Sequence, residues 1–232
     1  MIIDGHCHLK QDFNTEQLIR SMEEEGVDKT IAFGRGVEWN EYVAAAAREH
    51  PNEIIGFAWI NPRQKNAADE LIRSVEVLGL RGVKLHPYLL ERYDPAEHEL
   101  LDPILELCQR YRLPIVIHGA DEISPFGIEE MAKPFPEVTV VIAHMGLIFQ
   151  SGPARLVAKR NPKIFLETSL AYPRLISRAL EEVGAHKILM GTDKPAESAT
   201  VMIHKIEEAV PKEEERKLIT GDNYAKILGF AS

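Results

Sequence analysis

The sequence opens MIIDGHCHLK, placing His6 and His8 at i and i+2 at the end of a short apolar run. Along a β-strand successive side chains point to opposite faces, so the two imidazoles share one face and Cys7 points away. Paired imidazoles are metal-ligand geometry when further ligands converge on them. Of the nine histidines, five stand at or beside the carboxyl ends of apolar, β-rich runs: His6, His8, His86, His118 and His144. The other four, His50, His98, His186 and His204, fall on helix-like segments or in the loop before the last run, where a solvated role is expected. Asp193, in KILMGTDKP, ends another apolar run. An unpaired carboxylate is costly there, and a cation would remove the cost. Histidine nitrogens with a carboxylate suit zinc, while iron or manganese would accept the same set.

The elements that must position these residues are regular. MII, TIAFG, IIGFAWI, GVKLH, PIVIH, VTVVIAH, KIFLETS and KILMGTD form eight short β-rich runs. Their starts fall roughly 25–30 residues apart, the length of one strand–helix unit. Amphipathic segments of helical spacing lie between them, the weakest around GIEEMAKPF because it is short and bracketed by Pro125 and Pro134. Strands apolar on both faces imply a buried parallel sheet, and eight repeats predict an α/β fold closed as a (β/α)8 TIM barrel. Barrel chemistry sits at the carboxyl ends of the strands, where the five histidines cluster. A doubly wound open sheet is the alternative, weakened in its dinucleotide form by the lack of GxGxxG in the first βα turn. One domain over 1–232 is expected, with TGDNYAKILGF as a terminal helix at about 221–230 packed on the barrel.

Composition narrows the partners. Apolar residues make up 45% and charged residues 27%, ordinary for a chain with a packed core. The formal charge of −9 is spread along the chain with no basic run, which argues against nucleic acid. Cys7 and Cys108 are the only cysteines and form no disulfide framework, so a reducing setting is expected. With no basic leader and no stretch near the ~18 apolar residues of a membrane span, the chain reads as complete, cytoplasmic and free of membrane.

DGHCH, GVKLHP, IHG, AHMG and GTDKP, in this order, resemble the motifs of the amidohydrolase superfamily. The resemblance is closest to its amidohydrolase-2 branch, which includes aminocarboxymuconate semialdehyde decarboxylase and lactone hydrolases, and it runs through almost the whole chain to GDNYAKILGF. It implies that His6, His8, His118 and Asp193 bind one divalent metal, usually zinc, and that His144 stands beside the activated water. Asp193 would be both ligand and base as the water attacks a carbonyl. Asp4, sharing the strand parity of His6, is expected to point inward and to orient ligands by hydrogen bonding. Lys84 and His86 share a face of the fourth strand and are read, with Tyr88 and Arg35, as pocket residues that bind substrate charge. Other branches bridge two metals with a strand-four lysine, so Lys84 leaves a dinuclear centre as the lesser expectation. Arg63 and Lys194 are further candidates for a substrate carboxylate. Trp39, Trp59 and Cys7 are read as packing, and Glu167 and Thr168 as residues that line the site.

The leading expectation is therefore a metal-dependent hydrolase opening a small, carboxylate-bearing lactone or amide. The nearest alternative is non-oxidative decarboxylation of an aromatic or muconate-like acid. A TatD-type deoxyribonuclease shares the HxH opening, but its GEIGLD-like motif is missing and the charge is wrong for DNA. A non-catalytic, ligand-binding barrel would bind metal weakly or not at all. Short βα loops leave little to close the pocket, so a homo-oligomer is expected to help.

Overall fold

The computed structural model describes residues 1–88 and 91–230. Strands β1 (Ile3–His8), β2 (Lys29–Phe33) and β3 (Ile54–Gly56) form one parallel ladder. A second contains β4 (Ala58–Trp59), β5 (Val83–Leu85), β6 (Ile115–His118), β7 (Val140–Ala143), β8 (Ile164–Glu167) and β9 (Ile188–Leu189), paired in sequence order. Helices α1 (Thr15–Glu25), α2 (Asn40–Glu49), α3 (Ala67–Glu76), α4 (His98–Tyr111), α5 (Pro125–Ala132), α6 (Ser151–Arg160), α7 (Pro173–Val183) and α8 (Ala199–Ala209) alternate with them. Among the described residues, no helix is long and apolar enough to cross a membrane.

Both seams between the ladders are held by backbone bonds. β3 and β4 occupy one position in the barrel: Phe57 N donates to Ala32 O on one side, and Ala58 N donates to Gly82 O on the other. The run IIGFAWI is thus a single path whose partner changes at Phe57, as the stagger of a closing sheet requires. At the far seam Gly5 N donates to Met190 O at 3.0 Å, His8 N to Lys194 O at 2.8 Å and Lys194 N to His6 O at 3.1 Å. The fold is the expected TIM barrel, with nine strands among the described residues filling eight positions.

Strand alternation sorts the apolar residues into two cores. Ile31, Phe33, Ile55, Phe57, Val116 and Val141 fill the barrel, while Ala32, Ile54, Ala58, Ile115, Ile117 and Val140 pack against the helices. Cys7 is fully buried in the outer core, as parity predicts. Only in β1 does alternation break, where the register to β2 shifts between Asp4 and Cys7. Ile3 and His6 consequently both face inward although they differ in parity. Asp4, expected to point inward, turns into the seam instead, and the position of Gly5 faces Tyr224 within the barrel.

Three other elements differ from expectation. β9 stops at Leu189, so Asp193 lies beyond the strand, in a left-handed conformation with φ 59°. The terminal helix, α10 (Asn223–Leu228), lies within the expected 221–230 but continues a longer helical stretch, α9 (Glu213–Lys217) leading into it through a π turn (Leu218–Asp222). Pro125 does not fence off α5 but begins it, where its missing N–H is no loss.

α10 closes the base of the barrel with Tyr224, which is 1% exposed and packs among Ile3, Ile31 and Phe57. A Cβ at Gly5 would collide with the Tyr224 ring. Gly5→Ala is expected to lower stability by about 1–3 kcal/mol, the usual cost of overpacking. Urea unfolding at unchanged m-value would measure it. Tyr224→Phe should cost little, since the phenolic oxygen is buried without a hydrogen-bond partner.

Candidate metal centre

His6 and His8 at the end of β1 meet Asp193 from across the seam. His6 Nε2 lies 3.3 Å from His8 Nε2. Asp193 Oδ1 lies 3.2 Å from His6 Nε2 and 3.3 Å from His8 Nε2. In a tetrahedral set with bonds of about 2.0–2.1 Å, neighbouring ligand atoms stand about 3.3–3.4 Å apart. The triangle has the edges that a bound divalent ion demands.

The remote ring nitrogens are fixed as well. His8 Nδ1 donates to Gly34 O at 2.9 Å, and His6 Nδ1 lies 2.9 Å from Glu167 Oε2. Each ring therefore turns Nε2 toward Asp193. Burial holds the His8 pKa down at about 4, so that ring is neutral. Burial by itself would raise the Asp193 pKa, but His6 and His8 outweigh it and keep the carboxyl well below its ordinary range. Burial and Lys84 oppose a charge on His6, yet Asp193 and Glu167 prevail and raise its pKa. The two carboxylates thus require a positive charge among them, either a proton or a metal. Lys84 is fully buried with Nζ 3.4 Å from His6 Nε2 and 4.8 Å from the Phe33 ring centre, and burial lowers its pKa to about 8.

His118 stands one step off. Among the described residues, no group of three ligand atoms within 4.8 Å of one another includes it. Its Nδ1 lies 3.2 Å from His144 Nε2, and its Nε2 is buried without a hydrogen-bond partner, Glu122 Oε2 being 3.8 Å away. Burial pushes its pKa far down. A buried bare nitrogen is an atom that a cation would satisfy. His144, whose pKa burial lowers to about 3, has Nδ1 2.8 Å from Ser169 Oγ. It begins the turn after β7 with φ 65°, and Leu170 and Asp193 share that left-handed conformation at 59° each. Such residues cost on the order of 1–3 kcal/mol each and persist where their surroundings demand them.

A family model described as Amidohydrolase, that of the amidohydrolase-2 branch, matches residues 3–230. The chain belongs to the amidohydrolase-2 family. No curated protein sequence matches it. Among solved structures, the chain is similar to an uncharacterised TIM-barrel protein from Bordetella bronchiseptica, at 19% identity and TM-score 0.84 over 98% of each chain. It is also similar to 5-carboxyvanillate decarboxylase from Sphingomonas paucimobilis, at 15% identity and TM-score 0.77 over 99% of each chain. A third is a dihydroxybenzoic acid decarboxylase from Polaromonas, solved with manganese and 2-nitroresorcinol, at 16% identity and TM-score 0.78 over 98% of this chain and 96% of that one. At these identities the likeness is one of fold.

The cavity above the centre measures about 570 Å³. One wall is a stack in which the His86 ring lies 5.4 Å from Trp59 and 4.3 Å from His118, at 16° and 14°. Trp59, read as packing, is therefore a wall residue. His86 Nδ1 donates to Tyr88 O at 3.2 Å, and burial lowers the His86 pKa to about 3. Arg35 and Tyr88 border the mouth. Arg63 and Lys194 do not: Arg63 binds the carbonyls of Glu91 and Arg92, and Lys194 points outward to Glu25 at 2.7 Å. Asp4 orients the centre through backbone rather than through a ring, accepting from Thr192 Oγ1 at 2.6 Å, Thr192 N at 3.0 Å and His6 N at 3.1 Å. Glu167 is the carboxylate behind His6, and Ser169, which sequence reasoning missed, donates to it at 2.8 Å. Gly191 leaves room for this, because a Cβ there would collide with the Glu167 carboxylate.

Two outcomes follow for the centre. Asp193→Ala is expected to remove a stoichiometric divalent ion that the wild type retains, as elemental mass spectrometry would show. Metal must displace any proton from His6, whose pKa is raised. Affinity should therefore weaken as pH falls through that pKa, by about tenfold per pH unit for each proton displaced, measured by zinc competition with a chelator from pH 8 to 5.

Proposed function

We propose that the protein is a metal-dependent hydrolase that opens a small, carboxylate-bearing lactone or amide, with His6, His8, His118 and Asp193 holding one divalent ion. The observation that carries this reading is the triangle of His6 Nε2, His8 Nε2 and Asp193 Oδ1, three acceptor atoms that lie 3.2–3.3 Å apart. A histidine-rich set favours zinc, and manganese, bound in the Polaromonas decarboxylase, is the second choice. The ion supplies Lewis-acid charge that polarises a carbonyl and lowers the pKa of a water. Both histidine contacts of Asp193 use Oδ1, which leaves Oδ2 to take the proton of the attacking water. His144, neutral and held through Nδ1, offers only the Nε2 lone pair, which orients the attacking water as its acceptor beside the ligands. Arg35 at the mouth offers a bidentate partner for a substrate carboxylate, and Lys84 brings a second positive charge close to the reacting atoms.

A second reading, non-oxidative decarboxylation of an aromatic acid, is favoured by the flat wall of Trp59, His86 and His118. A planar ring fits against such a stack. Two of the similar folds, those from Sphingomonas paucimobilis and Polaromonas, are decarboxylases of aromatic acids.

Zinc- and manganese-loaded protein assayed against carboxylated lactones and amides, and against hydroxybenzoic acids, separates the readings. Lactone hydrolysis releases one proton per turnover, followed by pH-stat, and amide hydrolysis releases an amine, whereas decarboxylation releases CO2. His144→Ala at saturating metal is expected to keep the ion and lose at least about 100-fold in kcat. A wild type that binds no zinc, manganese or iron would overturn both readings in favour of a non-catalytic barrel.

A further inference from the structure

A carboxylate, a hydroxyl and two imidazoles form a buried chain behind the metal ligands. Glu167 and Ser169 are fully buried, and His144 is 3% exposed. Glu167 Oε2 lies 2.9 Å from His6 Nδ1 and 2.8 Å from Ser169 Oγ, while Oε1 accepts from the Ser169 backbone N–H. Ser169 Oγ lies 2.8 Å from His144 Nδ1, and His144 Nε2 lies 3.2 Å from His118 Nδ1.

We propose that Ser169 is a positioning residue that sets the tautomers of His144 and His118, and thereby leaves His118 Nε2 free to bind metal. A hydroxyl has a single proton to give. Glu167 is surrounded by donors and accepts from all of them, so the Ser169 proton points to Glu167. Ser169 Oγ must then accept from His144 Nδ1–H. A neutral imidazole carries one N–H, so His144 Nε2 has only a lone pair and accepts from His118 Nδ1–H. The proton of His118 is thus committed to the side away from Nε2.

The opposite polarity fails at both ends. If Ser169 donated to His144, Ser169 Oγ and Glu167 Oε2 would face each other at 2.8 Å with no proton between them. At the other end His118 Nε2 would carry a proton in a position without a hydrogen-bond partner. An unpaired buried donor and two opposed acceptors are both costly. One carboxylate, Glu167, therefore orients two ligand nitrogens: that of His6 directly, and that of His118 through Ser169 and His144.

The inference rests on the assignment of His118 as a ligand, and the experiment keeps the two apart. Two-bond ¹H–¹⁵N correlation spectra of histidine-labelled full-length protein, metal-free and zinc-loaded, report each ring's tautomer. Peaks are assigned by their loss in His118→Gln and His144→Gln. Both rings should carry the proton on Nδ1 in the wild type. Ser169→Ala should mix or reverse both tautomers and weaken zinc affinity by about 10–100-fold, and Ser169→Thr, which keeps the hydroxyl, should restore both. A wild-type His144 protonated on Nε2 would overturn the proposal, whatever the variants do. So would an unchanged zinc affinity in Ser169→Ala when His118→Ala weakens it. The expected tautomers, lost in Ser169→Ala while His118→Ala leaves zinc affinity intact, would support the tautomer relay and reject His118 as a ligand.

Discussion

Asp4 accepts three hydrogen bonds at the seam where the first strand meets the segment after the last: from Thr192 Oγ1, Thr192 N and His6 N. β9 is only two residues long, so strand pairing alone does little to hold that segment. The clamp, with the backbone bonds of Lys194 to His6 and His8, brings Asp193 within reach of both histidines. Burial raises the Asp4 pKa to about 6 against the pull of Thr192 and of the His6 amide. The carboxylate is kept ionised largely by the bonds that make it useful. A candidate ligand set divided between chain ends nearly two hundred residues apart comes together because these bonds join them.

Charge balance is the second constraint. Asp193, partly buried, and Glu167, fully buried, are both ionised around His6, and the rings of His8, His86, His118 and His144 have lost basicity to burial. Lys84 stands within 3.4 Å of His6 but carries a depressed pKa. The site gathers donor atoms faster than it gathers positive charge, and this imbalance is the chemical meaning of the HxH motif. Neutral imidazoles are the form in which histidine binds metal, so burial leaves these rings in that form while it withholds counter-charge.

Much of this was legible in the sequence because it follows from periodicity. The eight βα units, the shared face of His6 and His8, the outward Cys7 and the gathering of histidines at one end of the strands all come from counting residues. What escaped depends on contacts between distant segments. The bulge in β1 broke the parity that would have turned Asp4 inward, and nothing local in DGHCH announces it. Pairing of Lys194 with Glu25 on α1 sends outward a cation that its neighbour Asp193 suggested should face the pocket. Arg63 is likewise occupied by carbonyls after β5. Ser169 had no signal of its own, since a serine two residues after a glutamate is common, and its role arises from His6 and His144 arriving beside it. Trp59 looked like packing because its stack with His86 joins residues from adjacent strands.

Tyr224 gives the molecule a direction. By filling the base of the barrel against Gly5, it closes that end, and the cavity among the described residues lies at the rim that carries the histidines. Substrate and product then share that doorway. A departing product clears the passage before the next molecule can enter, so crowding at the entrance, rather than the bond-making step, can govern throughput when product accumulates.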